Sequence, residues 1–116
     1  MQGCDLQINI EQKADICIIK CIGNIDSDAY SGLKEVFDKL MREKKYKIVV
    51  DLSDVNFISS TGWGIFIGSL QKIRSGGGDL RLAAMTEEVE NIYNMVNFGE
   101  LLLSYDTIEE AIDSFK

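Results

Sequence analysis

Residues 47–52, Lys-Ile-Val-Val-Asp-Leu, constrain the fold more than any other stretch of the chain. The run is β-branched and apolar on both faces, which reads as a fully buried strand. Helical patterns lie on either side of it. Before it, Leu33, Val36, Phe37 and Leu40 recur at i, i+3, i+4 and i+7, predicting a helix from about residue 28 to 44. After it, residues 60–74 predict a second helix, stopped by Gly76-Gly77-Gly78, one of which takes the left-handed cap. Strands separated by helices pair through crossovers and lie parallel.

The remaining segments extend this pattern. Residues 6–11 alternate, with Leu6, Ile8 and Ile10 on one side, and read as a half-buried strand. Residues 12–15 suit a hairpin turn, and residues 16–22 are apolar on both faces except at Lys20, as in a more central, antiparallel partner. Gly23-Asn24-Ile25-Asp26 turns the chain, and Asp26 or Ser27 caps the first helix. Residues 79–84 form a short strand. Thr86 caps a third helix with the buried stripe Val89, Ile92, Tyr93 and Val96, ended by residues 97–99. Residues 101–103 read as a short strand or extended piece. Thr107 and Glu110 form a capping box for a last helix. The order is β-β-α-β-α-β-α-β-α. The expected fold is one α/β domain over residues 1–116, with a mixed sheet, an N-terminal hairpin then mainly parallel strands, and about four helices.

Charge and residue usage narrow the function. Nineteen acidic residues against twelve basic ones give a net charge of −7, which argues against a nucleic-acid-binding surface. The one basic cluster, Arg42, Lys44, Lys45 and Lys47, reads as complementing a helix end and solvating a turn. With no histidine, the commonest general base and the commonest zinc ligand are missing. No cofactor or metal is expected. Cys17 and Cys21 share a strand face and read as small core residues rather than ligands or a disulfide pair. With Cys4 the count is odd, and no leader pattern is read, so a reducing cytoplasm is expected. The longest apolar run, residues 63–70, is short of the roughly 20 residues a membrane helix needs, so no membrane insertion is expected.

The most informative point is the junction between the buried strand and the second helix, where Ser59, Ser60 and Thr61 stand in a row. A hydroxyl there caps a helix, and an anion there meets free backbone N–H groups and the positive end of the dipole. Gly62 and Gly64 would let the helix pack closely on the sheet. Trp63 is either core or an exposed anchor for a partner. Asp51, Asp54 and Ser60 are polar groups near the strand's C-terminal end, where open α/β sheets place active sites. Without histidine or a phosphate loop, catalysis is not expected from them.

Two pieces of the chain resemble the STAS domain, the family of bacterial anti-sigma factor antagonists. One is Gly23-Asn24-Ile25-Asp26; the other runs from Val49 through Asp51-Leu52-Ser53-Asp54 to Ser59-Ser60-Thr61-Gly62. The closing Asp106-Thr107-Ile108-Glu109-Glu110-Ala111 and the element order extend the resemblance over essentially the whole length. It implies a non-enzymatic domain that binds an anti-sigma factor serine kinase in a partner-switching pathway. It also implies that phosphorylation of one serine blocks binding and that a phosphatase restores it. Matched position by position, Ser60 takes the phosphorylated place, followed by Thr61 and Gly62. Ser59 stands where the family usually has aspartate, and Trp63 where it usually has leucine. The partner face is expected to comprise Asp26, Ser59, Ser60, Thr61, Gly62 and Trp63. The competing expectation is a non-catalytic scaffold, or a regulatory subunit of a larger complex or transporter.

Overall fold

The computed structural model describes residues 6–116, and Cys4 lies outside them. Five strands form one sheet in the order β1 (Gln7–Lys13), β2 (Ile16–Ile22), β3 (Lys47–Asp54), β4 (Asp79–Ala83) and β5 (Ser104–Tyr105). The first pair is antiparallel and the other three are parallel. The hairpin is tighter than residues 12–15 suggested. Lys13 pairs with Ile16, so only Ala14 and Asp15 turn, and Ala14 takes a left-handed φ of 54°. Of residues 101–103, read as a short strand or extended piece, none belongs to β5, which begins at Ser104; the Leu103 carbonyl accepts the Leu82 N–H at 2.9 Å, and of the three leucines only Leu102 is buried.

Four helices, α1 (Tyr30–Arg42), α2 (Ser60–Ser75), α3 (Glu87–Met95) and α4 (Ile108–Asp113), complete the fold. A 3-10 turn over Ser27–Ala29 precedes α1, so that helix starts two residues later than its periodicity implies. The strand order is monotonic, and three crossovers of one hand put α1, α2 and α3 on the same face of the sheet. Cys17, Ile19, Ile48, Val50, Leu80 and Leu82 point into that layer and pack with Leu33, Phe37 and Phe66. The opposite face is covered over Ile16, Ile18, Val49 and Ala83 by α4. Arg81 anchors that helix end. It donates to the Ser114 carbonyl at 2.8 Å, and its guanidinium lies 4.2 Å from the centre of the Phe115 ring.

At the other end of α2, Gly77 takes the left-handed cap with φ of 97°. Tyr46 closes over the neighbouring glycine: a Cβ on Gly78 would lie 1.8 Å from the Tyr46 carbonyl oxygen. The basic cluster behaves as a solvated turn, with Lys47 paired to Asp15 at 2.8 Å.

Cys17 and Cys21 are free thiols buried in the helical layer. Burial pushes both thiols up; for Cys21, burial and the nearby Asp51 charge push it to about 12. A Cys21 value raised above its unfolded value of about 8.5 gives stability that is full below that pH and lost as pH rises towards the folded value. A Cys4→Ser protein is therefore expected to show no thiol reacting with a disulfide reagent at about pH 8 while folded. Both remaining thiols should react once guanidinium unfolds it. Fast native-state labelling would mean that the strand opens locally.

Candidate functional site

The α2 N-terminus is built by a side chain that the motif reading treated as secondary. Ser59 is extended (φ −72°, ψ 168°), and its Oγ accepts the Gly62 N–H at 3.1 Å. Its carbonyl accepts the Trp63 N–H at 3.0 Å. Ser59 is thus the cap, which removes the alternative that Ser60 holds that role. Ser60 is the first helical residue and is exposed. Its hydroxyl has no hydrogen-bond partner among the described residues. The N–H groups of Ser60 and Thr61 are also left unpaired there, and the first turn carries no acidic side chain. Two free amides at the positive end of a sixteen-residue helix form a favourable setting for a covalently placed anion. Thr61 is half-buried, and Gly62 is buried.

The loop before the helix is held from three sides. Ile25 N–H donates to the Phe57 carbonyl at 2.9 Å, and Ser59 N–H donates to the Ile25 carbonyl at 2.7 Å. The Thr86 hydroxyl, at the start of α3, donates to the Val55 carbonyl at 2.8 Å. Residues 23–26 therefore lie alongside residues 54–59, extending the β2–β3 pairing past its end. Asp26 accepts the Asp28 N–H at 3.0 Å and caps the short turn before α1. Both sequence motifs meet at the start of α2. Gly62 is the contact point: a Cβ there would lie 2.7 Å from Cγ2 of Ile25 and 2.9 Å from Cγ2 of Ile58. Gly64 is different. Nothing lies within 4 Å of its would-be Cβ, so it has no role in packing the helix on the sheet.

Trp63 is core and not an exposed anchor. It is 4% exposed, stacks on Phe98 with ring centres 4.8 Å apart, and meets Phe66 edge-on at 6.2 Å. Its indole N–H has no acceptor among the described residues. Tyr93, tilted against the same indole, donates its hydroxyl to the Leu102 carbonyl.

Of the polar groups considered for catalysis, Asp51 and Asp54 meet on Lys20, and Ser60 stands apart from them. Asp51 is buried, accepts the Ser53 N–H at 3.0 Å and faces Lys20 at 3.7 Å. Asp54 pairs with the same lysine at 3.2 Å, and its hydrogen bond, with both carboxylates adding, holds the Lys20 ammonium above its usual value. Ser60 instead borders an apolar groove of about 870 Å³ between α2 and α3, where Glu88 is the one ionisable lining residue among those described. Among the described residues, no cluster of three or more potential ligand side chains could hold a metal ion.

Periodicity missed this groove. Ile92 and Val96, placed in the buried stripe of α3, are 41% and 53% exposed. The helix buries Val89 and Tyr93 and turns the other two residues towards the groove.

The STAS domain profile matches residues 7–111 of the chain. This chain belongs to the STAS domain family. A Thermotoga maritima protein, provisionally named an anti-sigma factor antagonist, is 35% identical over 93 residues, 80% of this chain and 81% of that one. The Bacillus subtilis anti-sigma-B factor antagonist is 22% identical and covers 84% and 89%. Among solved structures, a Thermotoga maritima protein carrying the same provisional name superposes with a TM-score of 0.88 at 28% identity, over 93% of both chains. The phosphorylated form of Bacillus SpoIIAA superposes with a TM-score of 0.73 at 18% identity, over 95% of this chain and 100% of that one, a likeness of fold. Within this STAS domain, the Ser59 departure has a local explanation. Serine and aspartate are comparable N-caps, so the helix start is preserved while one carboxylate is removed from beside Ser60.

Proposed function

We propose that this STAS domain is an anti-sigma factor antagonist acting by partner switching. It binds an anti-sigma factor serine kinase through the start of α2; phosphorylation of Ser60 blocks that binding and a phosphatase restores it. The observation that carries this proposal is the division of labour between two serines. Ser59 does the structural work of the cap, which leaves Ser60 exposed, unpaired and free to be modified without loss of the helix. A phosphoserine adds about −1.5 to −2 charges, which the free amides of the first turn tolerate. The charge therefore acts outward, by repulsion, desolvation and bulk against a fitted partner surface.

In this scheme the partner meets Asp26, Ser59, Ser60 and Thr61, while Gly62 and Trp63 support the site from beneath. Residues 1–116 act as one domain without catalysis of their own. Two observations support this: Asp51 and Asp54 are held by Lys20, and neither lines the groove that Ser60 borders. We place it in the cytoplasm; no helix among the described residues is long and apolar enough to cross a membrane.

The test is phosphosite mass spectrometry on the protein recovered from its host with its bound proteins. Phosphate is expected on Ser60, and Ser60→Ala should abolish it while keeping the partner bound. Phosphate that persists on Ser60→Ala would move the site to Ser59 or Thr61 and defeat the assignment.

A further inference from the structure

We infer that the groove between α2 and α3 seats an amphipathic α-helix of the partner protein, laid with its apolar side against this domain and covering Ser60. The inference rests on the proposal above for its link to the switch, since Ser60 lies in the wall of the groove. Its physical basis is separate.

The groove runs between α2 and α3, and apolar side chains from the loop before α2 and from the α3 side stay wet. Phe57 at its rim is 49% exposed, and Ile92 on α3 and Val96 at its C-cap are 41% and 53% exposed. Side chains left this open are covered by a macromolecular surface more fully than by a small ligand sunk between them. Along α2 the lining falls at Ser60, Trp63, Gly64, Ile67 and Gly68, one face of the helix. From residue 60 to 68 that face is about 12 Å long, which is about two turns of an occupying helix.

Gly64 and Gly68 also make the floor bare. No atom lies within 4 Å of the Cβ either would carry, and the same two residues border a second depression against α1. The outer ridge of α2 is therefore low between both depressions, and the backbone of another helix can come close to it. Helix pairs approach as closely as the side chains at their contact permit. A second copy of this chain is a poor occupant, because each copy brings a net charge of −7. An apolar helix over Ser60 also gives the switch its mechanism. A phosphate at that end of the groove would have to be dehydrated for the helix to dock.

The test uses a fluorescein-labelled, lactam-bridged peptide of about 16 residues, helical by design. It carries leucine at i, i+3, i+4 and i+7, one Glu–Lys pair at i, i+4 condensed to the lactam, and mixed glutamine and lysine elsewhere; a scrambled peptide of the same composition is the control. Binding to the full chain is followed by anisotropy. Saturable 1:1 binding is expected for the ordered peptide alone. Gly68→Gln should weaken it by about tenfold or more. That substitution fills the floor but improves helix propensity, so the variant should melt no lower than the parent. Equal binding to Gly68→Gln, or equal binding of the scrambled peptide, would overturn the inference. So would a dimer in sedimentation that Gly68→Gln dissociates, since the occupant would then be a second copy. Loss of binding in Gly68→Gln with full binding in Ser60→Asp would uphold the groove and sink the Ser60 switch, so the two proposals fail separately.

Discussion

Replacing Ser60 by aspartate is expected to weaken binding of the anti-sigma partner by about tenfold to a hundredfold, or roughly 1.4–2.8 kcal/mol. The melting temperature should stay level or rise slightly. Both expectations come from one position. As the first residue of α2, Ser60 meets the positive end of the helix dipole, where a carboxylate is stabilising by about 0.3–1 kcal/mol. The same carboxylate lies at the rim of the groove and must lose water when a fitted surface closes over it. Titration calorimetry against the partner recovered with the protein, beside scanning calorimetry of the free domain, separates the two effects. Ser60→Ala is the control: its hydroxyl has no hydrogen-bond partner among the described residues, so binding should persist. A Ser60→Asp protein that binds as tightly as the parent, or that unfolds, would remove the interface explanation.

The largest expected effect on stability is at Phe66. Phe66→Ala should cost about 3–5 kcal/mol, a large share of the roughly 5–15 kcal/mol that holds a domain together. Phe66 is fully buried and meets Phe37 of α1 edge-on at 6.0 Å and 86°, and Trp63 at 6.2 Å and 77°. Trp63 in turn stacks on Phe98, beyond the end of α3. Truncation opens a cavity between α1 and α2, beside the Trp63 indole, and both helices are held on the sheet by their other buried side chains. The melting temperature should fall by more than about 10 °C. Ile67→Ala, one residue on but only half-buried at the groove, should cost less than about 1.5 kcal/mol. Similar losses for the two would mean that the aromatic cluster is not the keystone its geometry implies.

Much of this was legible in the residues. The buried strand at residues 47–52, the stripe Leu33, Val36, Phe37 and Leu40, and the caps Thr86 and Thr107 act as their chemistry implies, whereas Asp26 caps the 3-10 turn before α1 and not α1 itself, whose N-cap residue Ala29 supplies no side-chain cap. These are local effects, set by side chains within a few positions of each other, and so periodicity and capping rules reach them. Three readings needed neighbours distant in sequence. Ser59 and not Ser60 caps α2, because the Ile25 carbonyl holds the Ser59 N–H and sets where the helix can start. Ile92 and Val96 follow the buried stripe of α3 but stay exposed, because no element among the described residues covers that side of the helix. Residues 101–103 read equally as a strand or an extended piece; β5 begins only at Ser104, with the Leu103 carbonyl accepting the Leu82 N–H of β4.

By itself, then, the order of residues determined the alternation of strands and helices, the lack of histidine, and the hydroxyl run at the start of α2. Tertiary structure decided what that run does. Pairing of residues 23–26 with the loop at residues 54–59 assigned the cap to Ser59 and freed Ser60. A monotonic strand order placed α1, α2 and α3 on one face, and the packing of α3 against α2 left an apolar groove with Ser60 in its wall. The physical reason is range. Capping and periodicity act over one or two turns of chain, whereas which hydroxyl is satisfied and which apolar face stays wet depends on what the sheet brings alongside.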